Sequence, residues 1–98
     1  MPNIRYSETS ILDFREIWGY IANDNERAAD ELITSFERKL KLLATMPEMG
    51  KDESDLAEKL RSFPIGNYIL FYREVSDGIQ LIRALHGARD ITSGYFGE

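Results

Sequence analysis

Apolar residues recur at helical spacing in the first half of the chain and crowd into tight runs in the second. Ile11, Phe14, Ile17, Trp18 and Ile21 fall on one face of a helix that runs to about Ala22. Ser7 or Ser10 can cap it, and Asp13, three residues after Ser10, completes a weak capping-box pattern. Asn23-Asp24-Asn25 breaks the pattern, because these side chains favour turns and caps. A second stripe, Ala29, Leu32, Ile33, Phe36, Leu40 and Leu43, predicts a helix over Glu26–Thr45. The short connection predicts an antiparallel helical hairpin.

Pro47 and Gly50 end that helix. Lys51–Lys59 is charged and reads as a surface loop or a single helical turn. Strand candidates are Ile4–Tyr6, Leu60–Phe63, Tyr68–Val75 and Ile79–Leu85, with Pro64-Ile65-Gly66-Asn67 as a turn. Ser76-Asp77-Gly78 between the last two runs predicts an antiparallel hairpin, since Gly supplies the positive φ such a turn needs. Asp90 can cap a short terminal helix ending near Phe96. The order β-α-α-β-β-β predicts one α+β domain over residues 1–98, with the helical hairpin on one face of a mainly antiparallel sheet.

Alternation places Tyr68, Leu70 and Tyr72 on one face of their strand, and Ile69, Phe71 and Arg73 on the other. On the next strand Ile79, Leu81, Arg83 and Leu85 alternate with Gln80, Ile82, Ala84 and His86. Both faces are largely apolar, although a sheet covered on one side should be polar on the other. The second face should therefore be covered by the terminal segment or by a partner protein.

Charge narrows the function. The net charge is −5, and residues 1–59 carry 8 Lys and Arg against 13 Asp and Glu. Generic or sequence-specific nucleic-acid binding is not expected of so acidic a chain, because it rests on a basic surface and counterion release. Arg61, Arg73, Arg83 and Arg89 gather, with the single His86, on or beside the strands. No apolar run approaches a membrane span, and MPNIRYSETS has no apolar core of a signal peptide. The absence of cysteine excludes disulfides and thiolate metal sites and fits a cytoplasmic location. No cofactor or metal is expected.

The helical hairpin ending in LATMPEMG, then LRSFPIGNYILFYR and DGIQLIRALHGARD, resembles the ParE branch of the RelE/ParE toxin superfamily. The resemblance runs from about Ile4 to Phe96. It implies a toxin of a type II toxin–antitoxin pair, neutralised in a hetero-oligomer by a ParD-like antitoxin, commonly of ribbon-helix-helix type. ParE-type toxins are associated with poisoning DNA gyrase; RelE-type relatives cut messenger RNA on the ribosome, and fold does not choose between them. Under the nuclease reading Arg61, Arg73 and Arg83 would stabilise phosphate charge and His86 would donate a proton. Lysine is absent after Lys59, so the RelE-style lysine cluster is missing and no catalytic set is expected. The binding reading assigns Arg61, Arg73, Arg83, His86 and Arg89 to target or antitoxin, and Phe14, Trp18 and Phe36 to an antitoxin groove. The structural alternative pairs at least one of these arginines with a helix or strand carboxylate, and makes His86 a hydrogen-bonded strand residue.

Overall fold

The computed structural model describes residues 2–97. Strand β1 (Asn3–Tyr6) leads into α1 (Glu8–Ala22) and α2 (Glu26–Thr45). Four strands follow: β2 (Lys51–Asp52), β3 (Arg61–Ile65), β4 (Tyr68–Val75) and β5 (Gly78–His86). They form one sheet in the order β1-β5-β4-β3-β2, antiparallel except where β1 runs parallel to β5. The predicted α+β hairpin-on-sheet architecture is the one observed. Among the described residues, no helix is long and apolar enough to cross a membrane.

Ser7 is the cap of α1, its Oγ accepting from the Ser10 amide at 3.0 Å. The Ser10–Asp13 capping box does not form, because Ser10 donates its own hydroxyl to the Ser7 carbonyl. Asn25 caps α2 through the Ala28 amide. Between helices and sheet lies the main core, built on Phe36, Leu40, Leu43, Leu70, Tyr72, Ile79 and Leu81.

Three sequence expectations change. Pro64 and Ile65 extend β3 rather than turning, and the turn is Gly66-Asn67 alone. Gly66 has φ +56 at the first of two turn positions, where a tight hairpin needs it. Lys51–Asp52 adds a short fifth strand where a loop or helical turn was expected. The C-terminal segment is a single 3-10 turn, Ser93–Phe96, that follows Thr92, so Asp90 caps nothing.

The fourth change concerns β5. Its register against β4 shifts between Phe71 and Tyr72: Tyr72 lies opposite Leu81, but Phe71 lies opposite Arg83. Ile82 is the extra residue of a β-bulge, and a bulge re-aims every side chain beyond it. Ile79 and Leu81 face the helices; past the bulge Ala84 and His86 take that face, and Arg83 and Leu85 take the other. Simple alternation would have driven the Arg83 guanidinium into the main core. The second face carries its own cluster of Ala57, Leu60, Phe71, Leu85 and Phe96, so the 53–60 loop and the C-terminal turn cover it.

Candidate functional site

The three sheet arginines are held by the protein itself. Arg61, on β3, donates from Nη1 to the Gly50 carbonyl at 2.8 Å, and more weakly to that of Glu48. Arg73, on β4, donates from Nε to the Glu58 carbonyl at 2.8 Å. Arg83 forks onto Asp13 of α1 through Nε at 2.8 Å and Nη2 at 2.9 Å, and its Nη1 donates to the Tyr95 carbonyl. Each one pins an irregular segment to the sheet: Arg61 the chain after α2, Arg73 the 53–60 loop, Arg83 the C-terminal turn. The hydrogen bonds that Arg83 donates to Asp13 raise its pKa above the ordinary value. The structural alternative therefore holds for Arg83, whose helix carboxylate is Asp13.

His86 stands apart from these three. It is exposed at the end of β5, opposite Tyr68, and the two rings meet edge to face at 5.1 Å. Its Nδ1 accepts the Ala88 amide at 3.0 Å. The bond also fixes the turn at Gly87, whose amide binds the Asn67 carbonyl.

Between α1 and this end of the β4–β5 ladder opens a cleft of about 640 Å³. Ile17, Ile21, Ala84 and Leu85 form its apolar part; Glu16, Tyr20, Tyr68, His86 and Arg89 supply the polar and aromatic part. Tyr20 stands at its rim, 80% exposed. Of the arginines singled out in the sequence, only Arg89 joins His86 here; Arg61 lines a separate depression with Asp52, Glu58 and Glu74. Tyr20 and Tyr68 were missed. The Tyr68–His86 pairing follows only once the bulge at Ile82 is known, since an unbroken register pairs Tyr68 with Leu85.

The helical-hairpin residues divide. Phe36 is fully buried beneath the helices, so it supports a groove and does not line one; this corrects its placement as a contact residue. Phe14 is half-buried between Phe36 and Tyr6, with ring centroids at 5.3 and 6.0 Å. Trp18 is on the surface, where its Nε1 donates to Asp30 at 2.8 Å and ties α1 to α2. Tyr6, Ile11, Phe14, Arg15 and Glu37 surround a smaller apolar hollow of about 290 Å³. Among the described residues, no cluster of three or more His, Asp or Glu side chains could hold a metal ion.

The family described as ParE toxin of type II toxin–antitoxin system, parDE, matches over residues 4–91. The chain belongs to this ParE toxin family. A solved structure entitled "Chromosomal ParDE TA system from P. aeruginosa" superposes with a TM-score of 0.71. It is 15% identical, and the match covers 88% of this chain and 96% of that one, which shows a shared fold. No curated protein sequence matches the chain. The cleft and the hollow are concave surfaces to which the helical hairpin of this ParE-family toxin contributes residues.

Proposed function

We propose that this type II toxin acts by binding a large cellular target, DNA gyrase, and stalling its covalent DNA complex. A ParD-like antitoxin of ribbon-helix-helix type neutralises it by direct binding. The observation that carries this reading is the engagement of Arg61, Arg73 and Arg83 with the protein's own carbonyls and with Asp13. Cutting RNA needs several groups aimed at one phosphate, to activate a 2′-hydroxyl, stabilise the developing charge and protonate a leaving oxygen. Here those arginines brace three different segments, and the cleft lined by His86 includes none of them. Exposed Tyr20, His86 and Arg89, beside half-buried Tyr68, have the aromatic and Arg character of protein interfaces and support a contact surface there.

The acidic chain supports a protein target over naked nucleic acid, since its net charge of −5 repels phosphate. Purified toxin, free of antitoxin, is expected to inhibit gyrase supercoiling and to accumulate cleaved DNA. Full supercoiling activity at large toxin excess overturns the gyrase assignment. Codon-positioned message cuts in a translation reaction, mapped by primer extension, would replace it with ribosome-dependent cleavage.

A further inference from the structure

The chain leaves β5 through a short turn, His86-Gly87-Ala88-Arg89, fixed by hydrogen bonds of two kinds. Two join backbone groups: the Arg89 amide donates to the His86 carbonyl at 3.1 Å, and the Gly87 amide to the Asn67 carbonyl at 2.8 Å. The other uses a side chain, the Ala88 amide donating to His86 Nδ1 at 3.0 Å. It copies the Asx turn, in which an Asn or Asp oxygen accepts the amide two residues on, with a ring nitrogen in place of that oxygen. Edge-to-face packing on Tyr68, at 5.1 Å between ring centroids, sets the imidazole in place. Arg89, which closes the turn, lines the same cleft as His86.

We infer that His86 is a positioning residue: through Nδ1 it holds the turn that sets Arg89 beside the cleft, and it releases that turn when the ring takes a second proton. The inference rests on the reading of this cleft as the target surface, and adds that His86 acts there through Arg89. An imidazolium carries a proton on each nitrogen and accepts no hydrogen bond, so the Ala88 amide would then face a donor. Imidazoles ordinarily gain that proton between about pH 8 and 5. The ionisable side chains lining the cleft with the ring are Asp13, Glu16 and Tyr20 of α1, Tyr68 of β4, and Arg89 of the turn itself. Asp13 is forked by Arg83, and Glu16 and Arg89 bring opposite charges to the cleft.

Two variants lose the ring alike and differ in the bond to Ala88. His86→Asn returns an acceptor at the reach of an Asx turn, whereas His86→Gln carries its oxygen one bond further out. In nitrogen-resolved NMR of the full chain, titrated from about pH 8 to 5, the Ala88 and Arg89 amides should shift in step with the His86 ring. In His86→Asn that step should disappear. At pH 8, His86→Asn is expected to inhibit gyrase supercoiling about threefold more strongly than His86→Gln, the effect of one ordinary hydrogen bond. Adding Arg89→Ala to both should close the gap. Between about pH 8 and 6 the wild type should lose about threefold relative to His86→Asn measured at the same pH.

Amides that stay fixed while the ring titrates overturn the inference. So does equal inhibition by the Asn and Gln variants, or a gap that persists without Arg89. Wild-type toxin that leaves gyrase fully active defeats the gyrase reading instead, and the amide titration then decides the turn by itself.

Discussion

Arg83 and Asp13, seventy residues apart in sequence, meet in a two-pronged ion pair at 2.8 and 2.9 Å that locks α1 to the bulged end of β5. Asp13 also accepts the Ala84 amide at 3.0 Å, and Ser7 donates its hydroxyl to the Ile82 carbonyl. β1 pairs with β5 only as far as Leu81, so beyond that point the start of α1 completes the strand's outer edge. The pair is largely buried, with 17% and 8% of the two side chains exposed.

Removing one partner of this pair strands the other. Asp13→Ala leaves the Arg83 charge and the Ala84 amide unsatisfied and is expected to cost about 3 kcal/mol. Denaturant unfolding of Asp13→Ala, Arg83→Ala and the double variant measures the coupling. A double variant that loses the sum of the two single losses would show that the two residues act independently.

Tyr72 and Gly50 form a second joint. The Tyr72 hydroxyl donates to the Pro47 carbonyl at 2.6 Å and accepts the Gly50 amide at 2.9 Å, fixing the chain as it leaves α2. A Cβ on Gly50 would fall 2.1 Å from that hydroxyl, so Gly50→Ala must break the joint. Tyr72→Phe is expected to cost about 1–3 kcal/mol, the penalty for orphaned buried polar groups. Burial raises the Tyr72 pKa above its ordinary 10.0. The folded state thus holds the phenol proton more tightly than the unfolded chain, and stability is complete below pH 10 and lost as pH rises through the folded-state value. Alkaline unfolding curves of the wild type and Tyr72→Phe should differ in slope above pH 10; parallel curves would remove Tyr72 as the cause.

Much of this architecture was legible because periodicity and turn chemistry agree. The stripes through Ile17 and Phe36 mark the faces that become core, and Asp77-Gly78 marks the central hairpin. At Gly78, φ is +154 and a Cβ would lie 1.9 Å from the Asn3 carbonyl, so the residue that eases the turn also lets β1 approach. The bulge at Ile82 was not legible, since nothing in ILFYREVSDGIQLIRALH separates an extra residue from simple alternation. That one residue decides whether Arg83 or Ala84 enters the core and whether His86 meets Tyr68. The arginine contacts were hidden for another reason: Arg61 and Arg73 bind backbone carbonyls, which no residue type advertises, and a sequence reader looks for carboxylates.

Lys59 offers a gain in stability. It holds φ +59, the left-handed region that a side chain makes costly, in the loop that places Leu60 into the second core and turns the Glu58 carbonyl to Arg73. Lys59→Gly should raise stability by about 1 kcal/mol, the strain relieved less the added freedom of the unfolded chain. Thermal unfolding checks the sign. A lower melting temperature would mean that the Lys59 side chain contributes more to the loop than its backbone costs.

The cleft beside His86 separates contact from stability. Tyr20 and Arg89 are exposed, and among the described residues neither is part of a core cluster or an ion pair. Surface changes of this kind ordinarily alter stability by no more than about 0.5 kcal/mol, so Tyr20→Ala and Arg89→Glu should melt as the wild type does. If the cleft meets the target, both should weaken gyrase inhibition by tenfold or more, since buried Tyr and Arg anchors dominate interface energies. His86→Gln keeps a side-chain donor but loses the ring packed on Tyr68, and should fall between them and the wild type. Measured supercoiling inhibition at matched folded concentrations reads all three. Undiminished inhibition by Arg89→Glu and Tyr20→Ala together would move the target surface away from this end of the sheet, leaving the proposed gyrase activity to be sought elsewhere on the toxin.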